Sequence, residues 1–235
     1  MKKMVILIGN YGSGKTEIAL NMAVMAASEG KRTQVIDLDR INDYFRMSDH
    51  VKLLEEKKVD IVSPTFAGQG VTQSSVSAAV ASAFAQDLDL VIFDVGGDPA
   101  GALSLARYHQ DFAAMPKGQV EVYDIVNVFR PMSESPEKIM KLKAEMEGFA
   151  RQEVTGFINN SNLLNYASAE DLRRGYEVLR ETSLMSGIPV VHTTGRREYL
   201  EEFLADGRDA AFIGVPIALD TYMHRSWDSF AYGGI

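Results

Sequence analysis

One short stretch constrains this chain more than any other: Gly9-Asn-Tyr-Gly-Ser-Gly-Lys15-Thr16. It fits G-x-x-x-x-G-K-[ST] at every fixed position. An apolar run, residues 4–8, precedes it. Residues 15–29 follow, with Ile18, Ala19, Met22, Ala23 and Ala26 on one helical face. Strand, glycine-rich turn and helix in that order make a phosphate-binding loop. Glycine lets the backbone wrap tightly enough for successive N–H groups to face phosphate oxygens. The helix start adds its positive dipole end. On this reading Gly9, Asn10, Tyr11, Gly12, Ser13, Gly14, Lys15, Thr16 and Glu17 surround a nucleotide. Lys15 reaches the β- and γ-phosphates, and the Thr16 hydroxyl ligates Mg²⁺.

The rest of the chain continues the alternation of strand and helix. Strands are expected at residues 33–37, 60–63, 90–94, 121–128, 154–159, 190–192 and 211–217. Helices are expected at 44–57, 72–86, 136–152, 169–187 and 197–205. The fourth of these starts at an S-x-x-D pair, Ser168 and Asp171, and stops at Gly187. The pattern implies an α/β, three-layer fold with a mostly parallel, twisted sheet of about seven or eight strands and helices on both faces. No Pro/Gly/Ser-rich linker divides the chain, so residues 1–235 are expected to form one nucleotide-binding domain.

Composition narrows the function. The net charge of −8 argues against non-specific binding to nucleic acid or anionic membrane. The absence of cysteine excludes disulfides, thiolate metal sites and an iron–sulfur cluster. No run approaches the roughly 20 apolar residues that span a bilayer. A reduced, cytoplasmic compartment is expected.

Two more segments belong with the loop. "VIDLD" puts Asp37 and Asp39 at a strand end, where α/β proteins gather ligands. "LVIFDVGGD" puts Asp94 at the end of another apolar strand, with Gly96 and Gly97 after it. Such a carboxylate suits a second Mg²⁺ anchor acting through water, and the glycine can turn its N–H toward a γ-phosphate.

With these motifs together, the chain resembles a MinD/ParA-type P-loop NTPase, of the SIMIBI class that also holds the nitrogenase iron protein and the CobQ and dethiobiotin synthetases. The resemblance implies that Asp37 and Asp94 help hold Mg²⁺, that Asp39 orients the attacking water, and that Gly97 serves the γ-phosphate. It also implies a base site near Asn159, Asn160 and Pro216, in "GFINNSN" and "GVPIALD". The guanine-reading motif N-K-x-D is absent, so ATP is expected in preference to GTP.

One position departs from the family. MinD- and ParA-like proteins carry, at the loop's second position, a lysine that reaches a partner's nucleotide across a dimer. Here it is Asn10, and Arg40 is a speculative substitute. Arg130, Arg196 and Arg197 are further candidates for phosphate or substrate, whereas His50, His109, His192 and His224 have no ligand spacing. The leading expectation is an ATP- and Mg²⁺-dependent switch acting in a homodimer or on an unidentified protein partner. A small-molecule synthetase or kinase, and a scaffold with little turnover, are the alternatives.

Overall fold

The computed structural model describes residues 2–39, 51–63 and 73–222. Arg40, His50 and His224 lie outside them, as does the first half of the helix expected at 44–57. Eight strands form one sheet in the order β3-β2-β4-β1-β5-β6-β7-β8. They are β1 (Lys3–Gly9), β2 (Thr33–Asp37), β3 (Val59–Val62), β4 (Leu90–Asp94), β5 (Val120–Val126), β6 (Gly156–Asn159), β7 (Val190–Gly195) and β8 (Val215–Ala218). Every pairing is parallel.

The described helices are α1 (Lys15–Ser28), α2 (Val51–Glu56), α3 (Gln73–Ala85), α4 (Pro99–Ala106), α5 (His109–Ala113), α6 (Pro136–Ala150), α7 (Ala169–Ser186) and α8 (Arg197–Leu204). Strand side chains alternate between faces, and the two cores follow that alternation. Met4, Ile6 and Ile8 of β1 meet α3 to α7 through Val80, Ala102, Phe112, Ile139 and Leu179. Val5 and Leu7 meet α1 and α2 through Ile18, Ala19, Ala23 and Leu54. Helix α8 extends the first layer by packing Leu200 and Phe203 beside Leu172 and Tyr176 of α7.

Local chemistry sets the helix ends. The Ser168 and Asp171 capping box starts α7, and Gly187, at φ 73°, stops it in the left-handed region that glycine adopts without strain. Asp98 caps α4 by accepting from the Gly101 N–H at 2.6 Å, with Pro99 in the first turn. The strand expected at 211–217 is shorter than its apolar run. Residues Ala210–Phe212 form a 3₁₀ turn capped by Asp209, which accepts from Ala211, and only Val215–Ala218 pairs. Helices α4 and α5 are additional to the sequence expectation.

Central β1 lies between β4 and β5. The segments leaving the C-terminal ends of β1, β2, β4, β5 and β6 therefore share one edge of the sheet, where open α/β sheets hold ligands. No described helix is long and apolar enough to cross a membrane.

Candidate nucleotide site

The turn from β1 into α1 has the backbone the sequence demands. Gly9, Gly12 and Gly14 take φ values of 135°, 69° and 96°. At Gly9 a side chain would strike the Ile125 carbonyl oxygen at 2.5 Å, so the loop leaves the sheet flush against β5. Lys15 is buried, and its Nζ donates to the carbonyl oxygens of Gly9 and Asn10 at 3.0 and 2.9 Å. Burial lowers its pKa, opposed by the charges of Asp94, Asp39, Asp124 and Asp98.

Two acidic strand ends converge here. Asp37 and Asp94 are register partners across β2 and β4. Asp37 accepts from the Asp39 N–H and from Ser63 Oγ, both at 3.0 Å. Burial and the neighbouring Asp94 charge push it up to about 8. Asp94 Oδ2 accepts from Thr16 Oγ1 at 2.7 Å, while its buried Oδ1 has no hydrogen-bond partner. Burial raises Asp94 to about 6, against the Thr16 hydrogen bond and the Lys15 charge.

A buried carboxylate oxygen without a donor, beside a threonine hydroxyl, suits a hard divalent cation. Among the described residues no group of three His, Asp or Glu forms a protein-only cage. The donor set is thus the sparse one expected where substrate phosphates and water complete Mg²⁺ coordination. Thr16 and Asp94 would hold the ion, with Asp37 behind them.

The glycines after Asp94 are fixed by close approach. A side chain on Gly97 would fall 2.6 Å from Tyr11 N and 2.9 Å from Lys15 Nζ. One on Gly96 would come within 3.3 Å of Asp39 Oδ1. Gly101, in the first turn of α4, packs on Gly96 just as tightly: a side chain on it would fall 2.5 Å from Gly96 Cα. Helix α4 therefore begins against the segment that faces the phosphate-binding loop.

The remaining expected residues have defined places. Asn160 Nδ2 donates to the Ser13 carbonyl oxygen at 2.7 Å, and its Oδ1 accepts from Thr194 Oγ1 at 2.8 Å. Asn159 donates to the Leu172 carbonyl of α7 at 3.1 Å and accepts from the Ser161 N–H. Both amides are buried and engaged within the protein, one holding the loop and the other holding α7. Pro216 is exposed on edge strand β8. The segment just beyond it reaches α1 instead: Asn21 exchanges hydrogen bonds with the Asp220 backbone, and Glu17 Oε1 accepts from the Tyr222 N–H at 2.6 Å. Arg196 and Arg197 are exposed at the start of α8, and Arg197 pairs with Glu201.

Asn10 has a different use from the lysine of the resemblance. Its Nδ2 donates to the Pro131 carbonyl oxygen and lies 3.3 Å from Ser133 Oγ, while its Oδ1 accepts from the Tyr11 N–H at 2.7 Å. The short amide thus pins residues 127–133, which follow β5, to the phosphate-binding loop. From the same segment Arg130 Nε donates to the Gly12 carbonyl oxygen at 2.9 Å. Asp124 also adjoins the site: it is buried on β5, with Oδ1 3.1 Å from where a Gly9 side chain would begin. Burial raises it to about 7, against the charges of Lys15 and Lys143. An aspartate within "VEVYDIV" is the sequence signal for it.

No protein-family model and no curated protein matches the chain. Solved structures do. The chain is similar to the cell division protein FtsY of Thermotoga maritima, with TM-score 0.55 and 21% identity over 85% of this chain and 63% of that one. Chloroplast FtsY of Physcomitrella patens gives 0.56 and 18%, over 82% and 58%. The signal recognition particle receptor FtsY of Elizabethkingia anophelis, in complex with GDP, gives 0.53 and 21%, over 83% and 57%. The chain spans about three fifths of the length of these structures. The likeness is one of fold: the chain has an α/β P-loop NTPase-like fold, an eight-stranded parallel sheet with helices, as these structures do.

Proposed function

We propose that the chain is a Mg²⁺-dependent P-loop nucleotide switch. It binds a purine nucleoside triphosphate at Gly9–Thr16, hydrolyses it, and changes its affinity for a second copy or a partner protein as the nucleotide state changes. The observation that carries this reading is the convergence of Gly97, Lys15, Thr16 and Asp94 on one loop. Mg²⁺, when bound, neutralises phosphate charge. Thr16 and Asp94 would hold it, with Asp37 behind them, and Lys15 would face the β- and γ-phosphates.

In hydrolysis the oxygen of water bonds to the γ-phosphorus as the bond to the β–γ bridging oxygen breaks. The diphosphate leaves with that electron pair, and the proton of water passes to the orthophosphate formed. Asp39, beside Gly96, orients the water. The link to a switch is the packing of Gly101 on Gly96: a γ-phosphate that draws in Gly97 also draws the first turn of α4.

The missing N-K-x-D motif favours ATP, whereas the FtsY structure with GDP contains a guanine nucleotide. The test therefore supplies each triphosphate in turn, with Mg²⁺ and no other substrate, to the wild type and to Asp39→Ala. Turnover of one nucleotide, lost in the variant, is the expected result. Turnover only after a metabolite is added would replace the switch with a synthetase or kinase. Binding without turnover, even with candidate partners present, would leave a scaffold.

A further inference from the structure

We propose that Arg130 is the cation for the terminal phosphate of the bound nucleotide, supplied in cis by the segment after β5. The inference rests on the nucleotide-binding reading above and goes beyond it. The sequence leaves Arg130 as one of three candidate arginines, and its position singles it out.

Three observations carry it. First, Arg130 stands on the loop itself. Its Nε donates to the Gly12 carbonyl oxygen at 2.9 Å, and a side chain on Gly12 would meet the guanidinium carbon at 3.2 Å and a terminal nitrogen at 3.5 Å. One N–H of the fork is used in this way, and the terminal nitrogens keep four donors.

Second, among the described residues no carboxylate pairs with Arg130, whose side chain donates to a backbone carbonyl. Arg32, Arg173, Arg197 and Arg208 have acidic partners, while other described arginines such as Arg107 and Arg196 also pair with none; Arg130 differs from these in lying on the phosphate-binding loop. In a chain with net charge −8, an arginine left to a backbone carbonyl beside a phosphate-binding loop is available to an anion.

Third, the segment is built to stay there. Asn10 binds it through Pro131 and Ser133, Asn127 accepts from the Phe129 N–H, and the Ser133 N–H donates back to the Arg130 carbonyl. The groups on the loop's early half then form one set. Lys15 Nζ lies on Gly9 and Asn10, Gly97 lies against Tyr11, and Arg130 lies on Gly12. On the nucleotide-binding reading Lys15 and Gly97 serve the terminal phosphates, so Arg130, on the same half of the loop, acts on the terminal phosphate and transfers no proton. Asn10 then has a role of its own: it supplies no charge and holds the residue that does.

The test is calorimetric titration of the full chain with the triphosphate and the diphosphate of the preferred base, each with Mg²⁺. It is run on wild type, Arg130→Ala, Arg130→Lys and Lys15→Ala, with single-turnover hydrolysis alongside. Arg130→Ala is expected to weaken triphosphate binding about tenfold or more, the scale of a lost charge-assisted contact, with diphosphate binding changed less than about twofold. Hydrolysis falls roughly 10²–10³-fold, as for loss of one donor to developing charge. Arg130→Lys recovers part of the triphosphate preference, because it keeps the charge and loses the fork. The wild-type rate per molecule stays constant as protein concentration rises.

Equal loss of both nucleotides in Arg130→Ala, or no loss, would overturn the inference and leave Arg130 a loop brace. A rate per molecule that climbs with protein concentration would do the same, by placing the cation in a partner copy. If Lys15→Ala binds like wild type, the nucleotide-binding reading beneath it fails instead.

Discussion

Asn160 Nδ2 donates to the Ser13 carbonyl oxygen at 2.7 Å, which ties the end of β6 to the loop after β1. The same amide accepts from Thr194 Oγ1, so strands β6 and β7 both brace that loop. Asn160→Ala removes the donor to the buried Ser13 carbonyl and leaves Thr194 Oγ1 only its longer bond to the Asn159 carbonyl at 3.3 Å, and is expected to lower stability by about 1–3 kcal/mol, read from urea unfolding. Nucleotide affinity falls with it. The preference between ATP and GTP stays constant, because the amide holds the loop; a changed preference would make Asn160 a reader of the base.

Thr16 and Asp94 set up a trade between stability and function. Asp94→Asn keeps the shape and removes a charge that burial disfavours. The folded-state pKa, about 6, lies above the ordinary value of 3.8, so the ionised form destabilises the fold. That cost is absent below about pH 4 and complete above about pH 6. At pH 8 the variant without ligand is expected to melt several degrees higher than wild type. The increment that Mg²⁺ adds to nucleotide affinity disappears, and binding without Mg²⁺ is retained. Calorimetry with and without chelator measures both.

Gly97 has no room for a methyl group, because the Tyr11 backbone would lie 2.6 Å from it. Gly97→Ala is expected to fold and to lose hydrolysis by on the order of 10²-fold, since displacement of a positioning group near the chemistry costs that much. Gly148, in α6, is the matched control: a side chain there meets nothing within 4 Å. Gly148→Ala raises helix stability by roughly 0.5–1 kcal/mol and leaves turnover unchanged. Thermal melts and a phosphate-release assay separate the two.

Asp124 provides a second pH signature. Its carboxyl, raised by burial to about 7 from 3.8, favours the protonated folded state. Wild-type stability therefore declines as pH rises from about 4 through about 7, where the fold binds a proton that the unfolded chain releases. Asp124→Asn removes this contribution. The variant is expected to match wild type near pH 4 and to exceed it by a few kcal/mol at pH 8, a difference already net of the attraction to Lys15 and Lys143. Urea unfolding across pH 4–8 is the measurement; parallel curves for the two proteins contradict it.

Much of the site was legible because its chemistry is local. The loop needs glycines at fixed spacing, and Asp37 and Asp94 follow apolar runs that only a buried strand explains. The parallel sheet followed from the alternation of elements. What stayed hidden depends on contacts between distant segments. Arg130 meets Gly12, 118 residues away, and Asn160 meets Ser13, 147 residues away; no local pattern encodes either distance. Helix α4 was obscured by Pro99 and Gly101, which punctuate its first turn, although Asp98 before Pro99 is a legible start. The run at 211–217 misled in the opposite way: its apolar residues serve a 3₁₀ turn before the strand. The place of Asn10 was legible as a missing charge, while its hold on Pro131 depended on the fold.

The most direct test of the central claim is calorimetric titration of ATP, and separately of GTP, with Mg²⁺, into wild type and Lys15→Ala. The account predicts saturable one-to-one binding of one of them by wild type. It also predicts a loss of roughly 10²-fold in Lys15→Ala, the scale of removing one partner of a buried charge contact. Binding of neither nucleotide by wild type, or equal affinity in the variant, would contradict it.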